Sequence, residues 1–160
     1  MKHILLIGLL VVAGTTFAQK NSVVGKWGFA AISTPDFSID LENPAATKKY
    51  LADEVKKESG TVPDSAQLEM AYNMMSMMFK EMSFDFAADG KAVFTAMGED
   101  GGPKTESVKY TVDYAKGTLT TIETEDGKEK NETVKIRFEG DYLIMENTVK
   151  GETVKVKRVK

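Results

Sequence analysis

From Ser83 to the C-terminus the chain alternates apolar and polar residues in seven short segments, with turn-forming residues at every junction. The segments run Ser83 to Ala87, Lys91 to Met97, Thr105 to Tyr114, Thr118 to Glu123, Lys130 to Glu139, Tyr142 to Thr148 and Glu152 to Val159. Asp89-Gly90, Gly101-Gly102, Lys116-Gly117, Asp126-Gly127, Gly140-Asp141 and Lys150-Gly151 supply the positive-φ positions that tight hairpins need. Inward candidates are Phe84, Phe86, Ala92, Phe94, Ala96, Val108, Tyr110, Val112, Tyr114, Val134, Ile136, Phe138, Val154 and Val156. An earlier segment, Val23 to Ile32, carries Val23, Gly25, Trp27 and Phe29 on one face and makes an eighth strand. Regular spacing without a helical crossover indicates an antiparallel meander, and closure removes its edges. The fold class is therefore mainly β, an eight-stranded antiparallel up-and-down barrel.

A two-helix insertion follows the first strand, and residues 44–82 are expected to form a lid. Asn43-Pro44 places a capping residue before proline at the first helical position, and helix formers follow from Ala45 to Lys57. Ser59-Gly60 stops this helix, and Pro63-Asp64-Ser65 starts a second one that runs to about Met82. The second helix holds six of the nine methionines. At 100° per residue, Leu68, Ala71, Tyr72, Met75, Met78, Phe79 and Met82 form one broad apolar face. Met70, Met74 and Met77 form a separate strip roughly opposite, so the helix has two surfaces to satisfy. Between the first strand and the helices, Ser33 to Asn43 reads equally as a short extra strand or an extended lid segment.

The first eighteen residues have a basic start at Lys2, an apolar run from Ile4 to Ala13, and small residues before a cut after Ala18. This pattern is a secretory signal peptide, too short to span a bilayer, and leaves residues 19–160 as one domain that is secreted or periplasmic. Loss of Lys2 leaves 20 basic residues against 24 acidic ones, with lysines scattered singly. That balance argues against nucleic acid, and the mature chain has no integral membrane segment. The mature chain also has no His and no Cys, which excludes Ser-His-Asp triads, Cys-His dyads and zinc sites built on imidazole or thiolate. Glu99-Asp100 and Glu125-Asp126 read as solvated hairpin turns and match no calcium loop. No enzyme class and no cofactor are indicated.

Gly25-Lys26-Trp27, the late Arg158 and the eight-segment count together resemble the lipocalin-like, or calycin, barrels. The resemblance implies that Gly25, Trp27 and Arg158 close one end, with Arg158 stacked over Trp27. Gly140-Asp141-Tyr142, between the sixth and seventh strands of the meander, is similar to a second lipocalin signature. The paired helices resemble the lid of intracellular fatty-acid-binding proteins, although Arg158-Val159-Lys160 keeps the arginine and loses the tyrosine of their carboxylate grip.

Barrels of eight strands can be filled by side chains or hold one small ligand. The resemblance implies non-catalytic binding of a small apolar or amphipathic molecule, with Phe84, Phe86, Phe94, Tyr110 and Tyr114 as wall and Met75, Met78, Phe79 and Met82 as cover. A competing reading is a filled-barrel interaction protein whose Met70, Met74 and Met77 strip docks a partner or a second copy. A third places a soft metal, Cu(I), on the same three thioethers.

Overall fold

The computed structural model describes residues 21–98, 101–125 and 128–160. The leader read over residues 1–18 and the turns at Glu99-Asp100 and Asp126-Gly127 lie outside the described residues. Strand β1 (Gly25–Ser33) pairs on one edge with the last strand, β9 (Glu152–Arg158), from Trp27↔Arg158 to Ser33↔Thr153. Its other edge is shared. Gly25 to Gly28 pair with β3 (Ser83–Phe86), and Ala31 to Ser33 pair with the short β2 (Ser38–Asp40). From β3 each strand pairs antiparallel with the next, through β4 (Lys91–Met97), β5 (Pro103–Asp113), β6 (Thr118–Glu125), β7 (Lys128–Glu139) and β8 (Tyr142–Asn147) to β9. The result is a closed, eight-stranded, all-antiparallel barrel with β2 added at one rim, so the segment before the helices contains an extra strand.

The edge switch on β1 depends on a bulge. The register with β9 shifts between Phe29 and Ala31, and there the Phe29 amide donates to Met82 O (3.2 Å) while the Leu41 amide donates to Ala30 O (2.9 Å). An extra residue at a barrel rim lets one edge trade partners while the other keeps its ladder. The insertion then forms α1 (Pro44–Ser59) and α2 (Ser65–Lys80). Asn43 Oδ1 accepts from the Ala46 amide (3.1 Å), Pro44 opens α1, and Gly60 ends it at φ 73°. Asp64 and Gln67 form a reciprocal capping box at the start of α2. On α1 the one buried residue is Thr47, whose hydroxyl donates to Asp40 O (2.8 Å) and accepts from Asp40 N (2.9 Å), tying the helix to β2.

The core lies inside the barrel: Val23, Trp27, Phe86, Ala92, Val108, Tyr110, Leu119, Ile136, Leu143 and Val156 are buried against one another. One end is plugged. The Trp27 indole N–H donates to Val23 O (2.7 Å), and the Arg158 guanidinium lies 4.1 Å from the indole ring centroid. Arg158 also donates to Val24 O (3.1 Å) and Ser22 O (2.5 Å), so the cation over the ring is fixed by two carbonyls as well. Gly25 sits beneath this group at φ 127°, where an added Cβ would stand 2.9 Å from Arg158 Nη1.

A polar junction on the outer wall anchors the corner between β2 and α1. Glu42 accepts from Tyr142 Oη (2.7 Å), Lys157 Nζ (2.8 Å) and Lys155 Nζ (3.4 Å), and the Lys155 ammonium also lies 4.0 Å from the Tyr142 ring centroid. In the β1–β9 ladder Lys157 is opposite Gly28 and Lys155 is opposite Ala31. The hydrogen bond from Lys157, followed by those from Tyr142 and Lys155, holds the Glu42 carboxyl below its ordinary value, and the same pairing raises Lys157.

Two outcomes follow from these contacts. Replacing Gly25 by Ala should lower stability in urea by about 1–3 kcal/mol through positive-φ strain and displacement of Arg158. Gly28→Ala, whose added Cβ meets only Val159 at 3.7 Å, should cost less. A depressed folded pKa stabilises above the ordinary glutamate value of 4.5 and the contribution is lost as pH falls through the folded value. Stability measured from pH 7 to pH 3 should therefore fall less steeply in Glu42→Gln than in the parent chain, the parent losing the junction and the variant lacking it throughout.

Candidate functional site

Directly opposed residues in an antiparallel ladder share a face, so the register defines the lumen row by row. One row runs Trp27, Phe84, Phe94, Glu106 across β1, β3, β4 and β5. A second runs Tyr110, Thr121, Glu132 across β5, β6 and β7, and a third runs Val112, Leu119, Val134. A fourth runs Ile136, Met145, Val154, Ile32 across β7, β8, β9 and β1. Strand tilt makes each row climb from the plugged end toward the end that carries the helices. Burial changes along the climb. Trp27, Tyr110, Leu119 and Ile136 are buried; Phe84, Phe94, Val134, Met145, Val154 and Ile32 are half-buried, as is Val112 at the plugged end of its row; Glu106 and Glu132 are exposed.

The lumen is thus graded, with an apolar floor, partly solvated apolar walls and a charged rim. On the rim, Glu132 Oε1 accepts from Asn147 Nδ2 (2.7 Å) and Lys150 Nζ (2.6 Å), while Asn147 Oδ1 accepts the Val149 and Lys150 amides (3.1 Å each). The Lys150 ammonium, hydrogen-bonded to Glu132, is the largest influence holding that carboxyl below its ordinary range.

Four of the expected wall residues come together. Phe84 and Phe94 meet edge to face (5.2 Å between centroids), as do Phe86 and Tyr110 (5.1 Å) and Phe86 and Phe94 (6.4 Å). Tyr110 Oη donates to Ala87 O (2.8 Å), which satisfies its buried hydroxyl. Tyr114 is a correction: it stands 53 % exposed at the plugged end, where its hydroxyl accepts from the Val23 amide (3.2 Å). It follows the last residue of β5 and lines no part of the helix-side lumen. Sequence reasoning also passed over Leu119, Leu143 and Met145. β8 reads Leu143-Ile144-Met145, and a continuous apolar run offers no alternation from which to choose a face. Ile144 proves to be buried on the outer wall, beside a groove of about 240 Å³ that is also lined by Arg137 and Lys155. None of the expected wall or cover residues lines that groove, and Arg137 is already paired with Glu139 and Glu146.

Helix α2 packs against β1 and β4, the strands on either side of β3. Phe79 stacks on Phe29 (4.6 Å) and lies 6.0 Å from Phe37. Met75 and Met82 are half-buried on the same side, and Ser76 is buried. Met78 is the second correction. It belongs with Met70, Met74 and Met77 on the solvent side, because the packed face is centred nearer Phe79 and Ser76 than the sequence pattern placed it.

No family model matches the chain, and no curated protein matches it. Solved structures do. A DUF4847 family protein from Bacteroides vulgatus ATCC 8482 aligns at 11 % identity over 85 % of this chain and 93 % of its own, with a TM-score of 0.52. An uncharacterized protein from Bacteroides eggerthii DSM 20697 aligns at 9 % identity over 86 % and 100 %, with a TM-score of 0.50. A lipocalin-like protein from Bacteroides uniformis ATCC 8492 aligns at 14 % identity over 85 % and 97 %, with a TM-score of 0.49. Identity at this level speaks to the fold alone. The closed eight-stranded meander with its plugged end is a lipocalin-like barrel in fold.

Proposed function

We propose that this chain is an exported, non-catalytic binding protein. Its barrel takes the apolar part of a small amphipathic molecule through the helix-side mouth and leaves the polar end at the rim. The observation that carries this reading is the incomplete burial of the inward apolar residues on the helix side. In a filled barrel Phe84, Phe94, Val134, Met145 and Val154 would be sealed like Trp27 and Leu143, yet they retain access to solvent. Their exposed area is an unpaid hydrophobic cost that a guest would remove. The aromatic contacts among Phe84, Phe86, Phe94 and Tyr110 form the floor on which the guest would rest. The rim offers both signs of charge at Glu106, Glu132 and Lys150, which suits a polar head and leaves its sign open. Phe79, Met75 and Met82 supply the cover, with methionine adapting to differently shaped guests.

Each methylene taken from water into such a lumen contributes about 0.8 kcal/mol, or roughly fourfold in affinity. Calorimetric titration with linear alkyl carboxylates, amines and alcohols of about six to about fourteen carbons should therefore show affinity rising with tail length and levelling off when the lumen is full. Val134→Trp, which fills the upper lumen, should weaken binding by about tenfold or more, whereas Tyr114→Phe at the plugged end should leave it unchanged. Affinity independent of tail length, or a Val134→Trp variant that binds like the parent, would overturn the reading.

A further inference from the structure

We propose that Met74, Met77 and Met78, on a strip begun by Met70, form a thioether site for one soft monovalent cation, Cu(I), on the solvent face of α2. These four side chains are 67 %, 64 %, 67 % and 52 % exposed. They are the exposed large apolar residues of α2, and all are methionine, whereas its packed face mixes Leu68, Tyr72, Met75 and Phe79. If apolar area alone were wanted there, leucine would serve with equal helix propensity and a stiffer side chain. What distinguishes the chosen residue is sulfur.

Spacing places three of the four sulfurs within reach of one ion, since Met70 and Met78 are about 12 Å apart along the axis. Met74 is four residues after Met70, three before Met77 and four before Met78, and side chains so spaced on a helix have Cβ atoms about 5–6 Å apart. Met74 is therefore the hub. Unbranched side chains with three rotatable bonds can bring the sulfurs of Met74, Met77 and Met78 around a single ion, and no core contact has to be given up because the strip faces water. Thioethers are neutral, soft and weakly basic, so they favour Cu(I) over Zn²⁺, Ca²⁺ or Mg²⁺. Glu81, four residues beyond Met77, places a carboxylate at the end of the strip to balance the added charge. Among the described residues no group of three or more His, Cys, Asp or Glu offers a harder cation a rival site. The site lies on the opposite side of α2 from Phe79, so it is separate from the lumen and does not depend on the reading of it.

The test uses the full chain carrying His3→Ala, which removes its one imidazole, under anaerobic reducing conditions. Cu(I) is offered in competition with bicinchoninate, and binding is followed by the chelator's colour, by X-ray absorption and by the methyl resonances of ¹³C-labelled methionine. One Cu(I) per chain with a first shell containing sulfur is expected, and the methyls of Met74, Met77 and Met78 should shift while those of Met97 and Met145 stay in place. Met74→Leu should weaken binding by about tenfold or more, replacing all four by Leu should abolish it, and Met75→Leu on the packed face should leave it unchanged. Circular dichroism checks that the leucine variants keep their helix. Failure of the parent chain to draw Cu(I) from bicinchoninate, a fourfold Leu variant that competes as well as the parent, or a copper-free dimer that shields the four methyls would each overturn the proposal.

Discussion

The structure depends on the pairing of its first strand with its last. β1 and β9 are joined from Trp27↔Arg158 to Ser33↔Thr153, and without that ladder the sheet would have two open edges available to other chains. The plug at the same seam reinforces it. Arg158 donates to the carbonyls of Ser22 and Val24 at the opposite end of the chain while lying over Trp27, and Trp27 in turn donates to nearby Val23. Contacts between residues so distant in sequence are costly in loop-closure entropy, which makes the seam a late and cooperative element of folding.

Closure at that seam also decides where the helices go. β1 cannot carry β3 along its full length, since the bulge between Phe29 and Ala31 hands the rim portion of the edge to β2. The chain therefore leaves the barrel at the rim, and Thr47, Tyr50 and Glu42 fasten the departing segment to Asp40, Asp36 and the outer wall of β8 and β9. With its start fixed in this way and its end held by Phe79 on Phe29, α2 has one side committed to the barrel and the other left to solvent.

Those two sides offer different chemistry. The barrel side and the lumen beneath it combine aromatic floor, half-solvated aliphatic wall and charged rim, a combination that rewards removal of apolar area from water. The outward side offers polarizable sulfur in a row. One helix thus borders two surfaces of different make-up, the first apolar and aromatic, the second a row of exposed thioethers.

The sequence by itself determined the barrel. Alternation and glycine-bearing turns marked all seven strands after residue 82, with β4 matching Lys91 to Met97 at both ends, because a hairpin meander is specified by neighbours in sequence. The helix boundaries were equally legible, since Asn43-Pro44, Gly60 and Asp64 act through local backbone hydrogen bonds. Tertiary structure decided what no local pattern contains. Leu143-Ile144-Met145 is apolar at every position, and only the neighbours on each wall show that Leu143 faces the core and Ile144 the outside. Tyr114 has the parity of a wall residue, yet it lies past the end of β5, where the segment at Ser22 and Val23 folds back to meet its hydroxyl. Met78 lies on the margin of a helical stripe, and the rotation of α2 that exposes it is set by Phe79 finding Phe29, a contact across fifty residues of intervening chain. Periodicity gives the width of a face; which part of that width is covered depends on the shape of what it lands on.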